Sequence, residues 1–104
     1  MFESGCENGV TLNDLEPGTR ITVVTNNSTY RLDLIDGAES RATAVGGSIF
    51  PEPTEVRVEG ASAGEGTVKS GWIGVGLRLE LTSGLKRITT SCVKAVDIAS
   101  APAA

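Results

Sequence analysis

The sequence contains no histidine. That absence excludes Ser-His-Asp and Cys-His nucleophilic sites, His-ligated metals and any imidazole proton shuttle. Only two cysteines occur, Cys6 and Cys92. Two thiols without an imidazole make a poor zinc site, and in a reducing cytoplasm both are expected to stay free. Aromatics are scarce: Phe2, Tyr30, Phe50 and Trp72 are the whole set. A core must therefore be built mainly from Val, Ile and Leu, which suit a pleated, half-buried surface. No apolar run approaches membrane-spanning length. The opening residues, Met1 to Glu7, are acidic and lack the apolar stretch of a secretory signal. A cytoplasmic location away from membranes is expected.

Basic charge is also in short supply. Nine basic residues face thirteen acidic ones, a net charge of −4. This argues against non-specific nucleic-acid binding, which needs a basic footprint to displace counterions. The charge is unevenly spread. Residues 1–66 carry four basic and eleven acidic residues, a net −7. Residues 67–104 carry five basic residues (Lys69, Arg78, Lys86, Arg87, Lys94) against Glu80 and Asp97, a net +3. Outward-facing charges on antiparallel strands explain most of this. A modest basic face for an anionic partner is the sharper reading.

What is present is period-two patterning in a chain of 104 residues, room for one domain. Thr11-Leu12-Asn13-Asp14 has the form of a capping box, so one helical turn is expected over 12–16 before Pro17-Gly18 stops it. Leu12 and Leu15 would plug one end of the fold. Strands are expected over 20–25, 29–35 and 41–45. In the second, Tyr30, Leu32 and Leu34 face one way, and Arg31 and Asp33 the other. Asn26-Asn27-Ser28-Thr29 holds two overlapping glycosylation sequons but reads better as a turn. Residues 49–53 form an extended connection because Pro51 and Pro53 interrupt a ladder, and Val56 and Val58 mark a fourth strand. Gly60 to Gly66 reads as a mobile loop. The strongest alternation follows: Ile73, Val75, Leu77, Leu79 and Leu81 predict one long strand with that row buried. Ser83-Gly84 suits a two-residue hairpin turn. A return strand over 85–91 and a short last strand over 93–98 complete the chain.

The fold class is thus all-β: a small antiparallel barrel of six or seven short strands with one N-terminal helical turn. Residues 1–10 are expected as a flexible arm, 11–98 as the single barrel domain and 99–104 as a disordered tail. Closing the sheet removes exposed edges, which a chain this small has few other means to cover.

No motif names a reaction, and no catalytic, metal or cofactor residue is assigned. Asp33, Asp36 and Glu39 do not meet the calcium-loop pattern and read as a solvated acidic turn. The glycines over 60–66 and at 74 and 76 lack phosphate-loop or dinucleotide spacing, and no helix follows them. Cys92 has basic neighbours, Lys86, Arg87 and Lys94, but no base partner. It reads as a small residue at a strand end. The candidate interface is Trp72, Gly74, Gly76 and Arg78. By alternation they share the face opposite the Ile73-to-Leu81 row. Two bare glycines beside the single tryptophan would make a flat strip for another backbone. The structural alternative is a bend, which glycine permits.

A short helical turn before Gly18-Thr19-Arg20-Ile21-Thr22-Val23, then a late Ile88-Thr89-Thr90-Ser91 strand and a short closing strand, resembles the Sm-like and Src-homology-type small barrels. The segments 22–30, 72–81 and 87–96 also resemble bacterial conserved hypothetical proteins of similar size. The Sm RNA-binding Asp/Asn signature is not recognisable, so no nucleotide-contacting residue carries over. The resemblance implies a small-barrel fold and a binding role. The functional expectation is a non-enzymatic binding or assembly module, acting on another protein or by self-association. The alternative is oligonucleotide or nucleotide binding through the basic C-terminal half.

Overall fold

The computed structural model describes residues 9–63 and 68–99. In chain order these form β1 (Gly9–Thr11), a 3-10 turn (Leu12–Asp14), β2 (Arg20–Thr25), β3 (Thr29–Asp36), β4 (Arg41–Gly46), β5 (Phe50–Ser62), β6 (Val68–Ser70), β7 (Trp72–Gly74), β8 (Arg78–Ser83) and β9 (Lys86–Ala99). The protein is an all-β small barrel. β2, β3, β4, β5, β8 and β9 each pair antiparallel with the next, and β9 returns to β2. β6 extends the far end of β5, and β1 pairs with β7 as a separate ribbon. No helix among the described residues is long and apolar enough to cross a membrane.

Alternation fills the interior. Ile21, Val23, Tyr30, Leu32, Leu34, Ala42, Ala44, Val56, Val58, Leu79 and Leu81 are all buried on the inner face. Tyr30 meets Phe50 edge to face, with ring centroids 6.3 Å apart, a favoured aromatic geometry. Because successive strands reverse, the barrel has two distinct ends. One gathers the tight turns after β2, β4 and β8. The other gathers the 3-10 turn, the turn over 37–40 and the segments between β5 and β8. Leu12 and Ile73, both fully buried, plug this second end. The Leu12 N–H donates to the Gly71 carbonyl at 2.9 Å, tying the two segments together.

Several expectations are corrected. Thr11 stands at the N-cap, but its side chain makes no cap hydrogen bond, and the helix is a single 3-10 turn. The Leu15 N–H to Leu12 carbonyl bond at 3.0 Å holds it instead. Gly9 and Val10, placed in the arm, belong to β1; residues 1–8, including Cys6, lie outside the described residues. β5 runs straight through Pro51 and Pro53. This is tolerated because β8 reaches β5 only at 57–62, so the proline segment borders a single neighbour, where a missing N–H costs little. The loop expected from Gly60 starts later, since Gly60 to Ser62 pair with both β6 and β8. The rest of that loop, over 64–67, is not described. Ser83 pairs with Lys86, so the hairpin turn is Gly84-Leu85, one residue later, with Gly84 at φ 61°. The two expected C-terminal strands are one, β9, whose first half pairs with β8 and second half with β2. Ala99, placed in the tail, ends β9, and the tail over 100–104 is not described.

The largest correction concerns residues 72–82. The alternating row is two strands, β7 and β8, separated by a turn. The Leu77 N–H donates to the Gly74 carbonyl at 3.2 Å, and Gly76 adopts φ 89°. Positive φ at the third position of a turn is what selects glycine there. Ile73, Leu79 and Leu81 are buried as expected, but Val75 is 37% exposed and Leu77 half-buried. Glu80, expected outside, is only 6% exposed. Its carboxylate accepts from Thr89 Oγ1 at 2.7 Å and lies 3.4 Å from Arg87 Nε.

Candidate interaction surface

β7 places Trp72 and Gly74 on one face, two residues apart, and Gly74 lies opposite Gly9 of β1. A Cβ at either glycine would overlap the indole ring of Trp72. The two glycines therefore leave room for the tryptophan of the same chain. They are not a bare strip awaiting another backbone, and this is why glycine is required on both strands. Lys69 Nζ stands 4.2 Å from the centroid of the Trp72 ring, within range for a cation–π contact. The indole thus lies against the β1–β7 ribbon with an ammonium beside it, and it remains half-buried.

The turn after β7 carries the remaining candidates. Val75 projects at its apex, and an added Cβ at Gly76 would meet nothing within 4 Å. The turn is fastened to the barrel wall. The Gly76 N–H donates to the Val93 carbonyl at 2.8 Å, and the Val93 N–H donates to the Leu77 carbonyl at 2.9 Å. Arg78 opens β8, exposed, with Cys92 as its cross-strand neighbour. Trp72 and Gly74 therefore form one unit, and Gly76 and Arg78 stand on a turn and a second strand beside it. Sequence reasoning missed Gly9 and Lys69, because neither relation to Trp72 is local. Cys92 is a free thiol, half-buried.

Ion pairs lie elsewhere on the outer wall. Arg20 Nε meets Asp33 at 2.8 Å, Arg31 reaches the same carboxylate at 3.7 Å, and Arg41 meets Glu55 at 2.6 Å. Glu55 holds the Arg41 guanidinium protonated above its ordinary range, through the hydrogen bond first and its charge second. A shallow open depression of about 490 Å³ between Glu39, Arg41, Glu55, Arg57 and Thr82 carries both signs of charge.

The fold and surface together define a small antiparallel β-barrel with an aromatic-and-cation patch at one end. No protein family, curated protein or solved structure matches the chain.

Proposed function

We propose that this protein is a non-enzymatic binding or assembly module of the cytoplasm that contacts another protein chain through the Trp72 end of its barrel. One observation carries the reading: the single tryptophan is held against Gly9 and Gly74 yet is not fully covered. An aromatic already fixed in one rotamer loses little side-chain entropy on binding, and tryptophan is enriched among the residues that dominate interface energy. Val75 adds exposed apolar area beside it, and Arg78 a charged rim. The resemblance to Sm-like and Src-homology-type barrels belongs to this proposal and supports a binding role.

Affinity capture from the source cells tests it, with the wild-type chain beside a Val75→Asp variant. Val75 is exposed, so this change spares the fold while placing charge on the surface. The expected result is a stoichiometric protein, a second copy or a different chain, retained by the wild type and lost by the variant. Equal retention by both removes this surface from the reading. Stoichiometric RNA whose binding falls steeply with salt favours the nucleic-acid alternative instead.

A further inference from the structure

The strands of the barrel are offset, and the offset leaves part of β9 without a neighbour. β8 pairs with β9 from Lys86 to Cys92, whereas β2 pairs with the opposite edge of β9 only from Val93 to Ala99. The Asn26 N–H donates to the Cys92 carbonyl at 3.1 Å, which marks where that edge becomes covered. Among the described residues no strand lies beside Lys86 to Ser91 on the β2 side. Ser83 and Lys86 flank a two-residue turn and therefore exchange both backbone bonds. By alternation Ile88 also faces β8, while the N–H and C=O groups of Arg87 and Thr89 point to the open side. A bulge between Thr89 and Cys92 ends this regular stretch. Arg87 and Thr89 are both exposed. β5 has a comparable free stretch before Arg57, but Pro51 and Pro53 blunt it. β1 and β6 are three residues each, too short to template much pairing. β9 has neither device, since it runs for 14 residues without a proline.

Charge selects what fits there. Residues 86–96 contain Lys86, Arg87 and Lys94 and no carboxylate. Lys86 and Lys94 form no ion pair among the described residues. The outward row that ends at Arg87 is basic as well: Arg41, Arg57, Thr82 and Arg87 stand opposite one another across β4, β5, β8 and β9. A second copy is a poor occupant. Pairing two such edges antiparallel would crowd Lys86 and Arg87 of both copies, and like charges opposite each other destabilise a sheet. An acidic strand gains where a basic one loses. The other free stretch of β9, beyond Val93 on the β8 side, is less selective, because it borders the Gly76 turn and carries Asp97 as well as Lys94. We infer that the open edge of β9 takes an extended acidic segment of another protein as an added antiparallel strand, with a carboxylate side chain opposite Arg87 and main-chain bonds to Arg87 and Thr89. This site goes beyond the Trp72 reading and does not rest on it.

An acetylated, amidated octapeptide of alternating Glu and Val is the probe. Titrated into the isotope-labelled chain, it should shift the amide signals of Arg87 and Thr89 and slow their hydrogen exchange about tenfold or more. The amide of Ile88, already bonded to β8, should change little. Directly opposed residues of an antiparallel pair share a face, so the Glu N–H groups of the peptide point at the edge and its Val N–H groups at solvent. N-methylation of the Glu residues should therefore abolish binding, and N-methylation of the Val residues should leave it. A Lys-Val octapeptide should bind at least about tenfold more weakly. Thr89→Pro removes one edge N–H and should weaken the acidic peptide, with far-UV circular dichroism confirming that the variant is folded; the N-methylated pair tests the same bonds without any mutation. No shift at Arg87 and Thr89 with millimolar peptide, equal binding of the two N-methylated peptides, or equal binding of the Lys-Val peptide each overturns the inference. So does protection of these two amides that grows with protein concentration in the absence of peptide, which would put a second copy on the edge.

Discussion

Burial differs sharply between residues that the sequence makes look alike. Val75 and Leu79 belong to the same alternating row, yet Val75 is 37% exposed and Leu79 only 1%. Leu79→Ala should cost ~2–5 kcal/mol through lost transfer energy and a residual cavity. Val75→Ala should stay within about 0.5 kcal/mol. Urea denaturation midpoints of the two variants check this, and equal shifts would mean that the turn at Gly76 is wrongly placed. Glu80 offers a second contrast. Its buried carboxylate accepts from the Thr89 hydroxyl, so Glu80→Ala removes a hydrogen bond to a charged group and should cost about 1.5–3 kcal/mol. Arg87, whose side chain is 58% exposed, should matter less, because an exposed partner adds little to an ion pair. Comparing Glu80→Ala with Arg87→Ala in the same melts separates the two contributions.

At the scale of elements, the β1–β7 ribbon and its turn set the position of Trp72. Gly74→Ala places a Cβ where the indole lies. The ring should be displaced toward solvent, and the emission of this single tryptophan should move to longer wavelength while the far-UV spectrum is kept. Unchanged emission would show that the ring does not rest on Gly74. Gly76→Ala tests a different property. Space is free there, but φ is 89°, so an alanine is strained by its backbone alone. A loss of roughly 1 kcal/mol or more is expected, read as a lower melting temperature with little change in tryptophan emission. β5 shows the converse. It accepts Pro51 and Pro53 because that stretch lies beyond the reach of β8, and missing N–H groups blunt an edge that would otherwise recruit another strand.

At the scale of the whole molecule, closure depends on two long strands. β5 joins β4 to β8, and β9 joins β8 to β2. Cys92 lies within β9 as a free thiol, so covalent cross-linking plays no part in holding these strands. Reductant should therefore leave the melting temperature unchanged, and a large drop in differential scanning calorimetry would contradict this.

Much of the fold was legible in local pattern. The bounds of β2 are legible in full, and those of β3 and β4 to within a residue, because Asn, Asp or Gly turn chemistry ends each of them and β3 alternates cleanly. Period two is a property of a single strand and needs no knowledge of its neighbours. The lack of histidine likewise excluded whole classes of chemistry by composition alone. What lay beyond the sequence was every feature set by a distant partner. Alternation from Ile73 to Leu81 is the same whether the chain runs on or turns back. The break occurs because Trp72 to Gly74 pair with β1 while Arg78 onward pairs with β5 and β9. Glu80 is outward by alternation and is nonetheless buried in the folded wall, hydrogen-bonded to Thr89 of β9. The role of the glycines was decided in the same way. Gly74 is bare because a tryptophan two residues away lies over it, and Gly9, sixty-five positions away in sequence, must be bare for the same ring. Composition and period determined that this chain is all-β. Only the pairing of remote strands decided which apolar residues are buried and where the tryptophan is held.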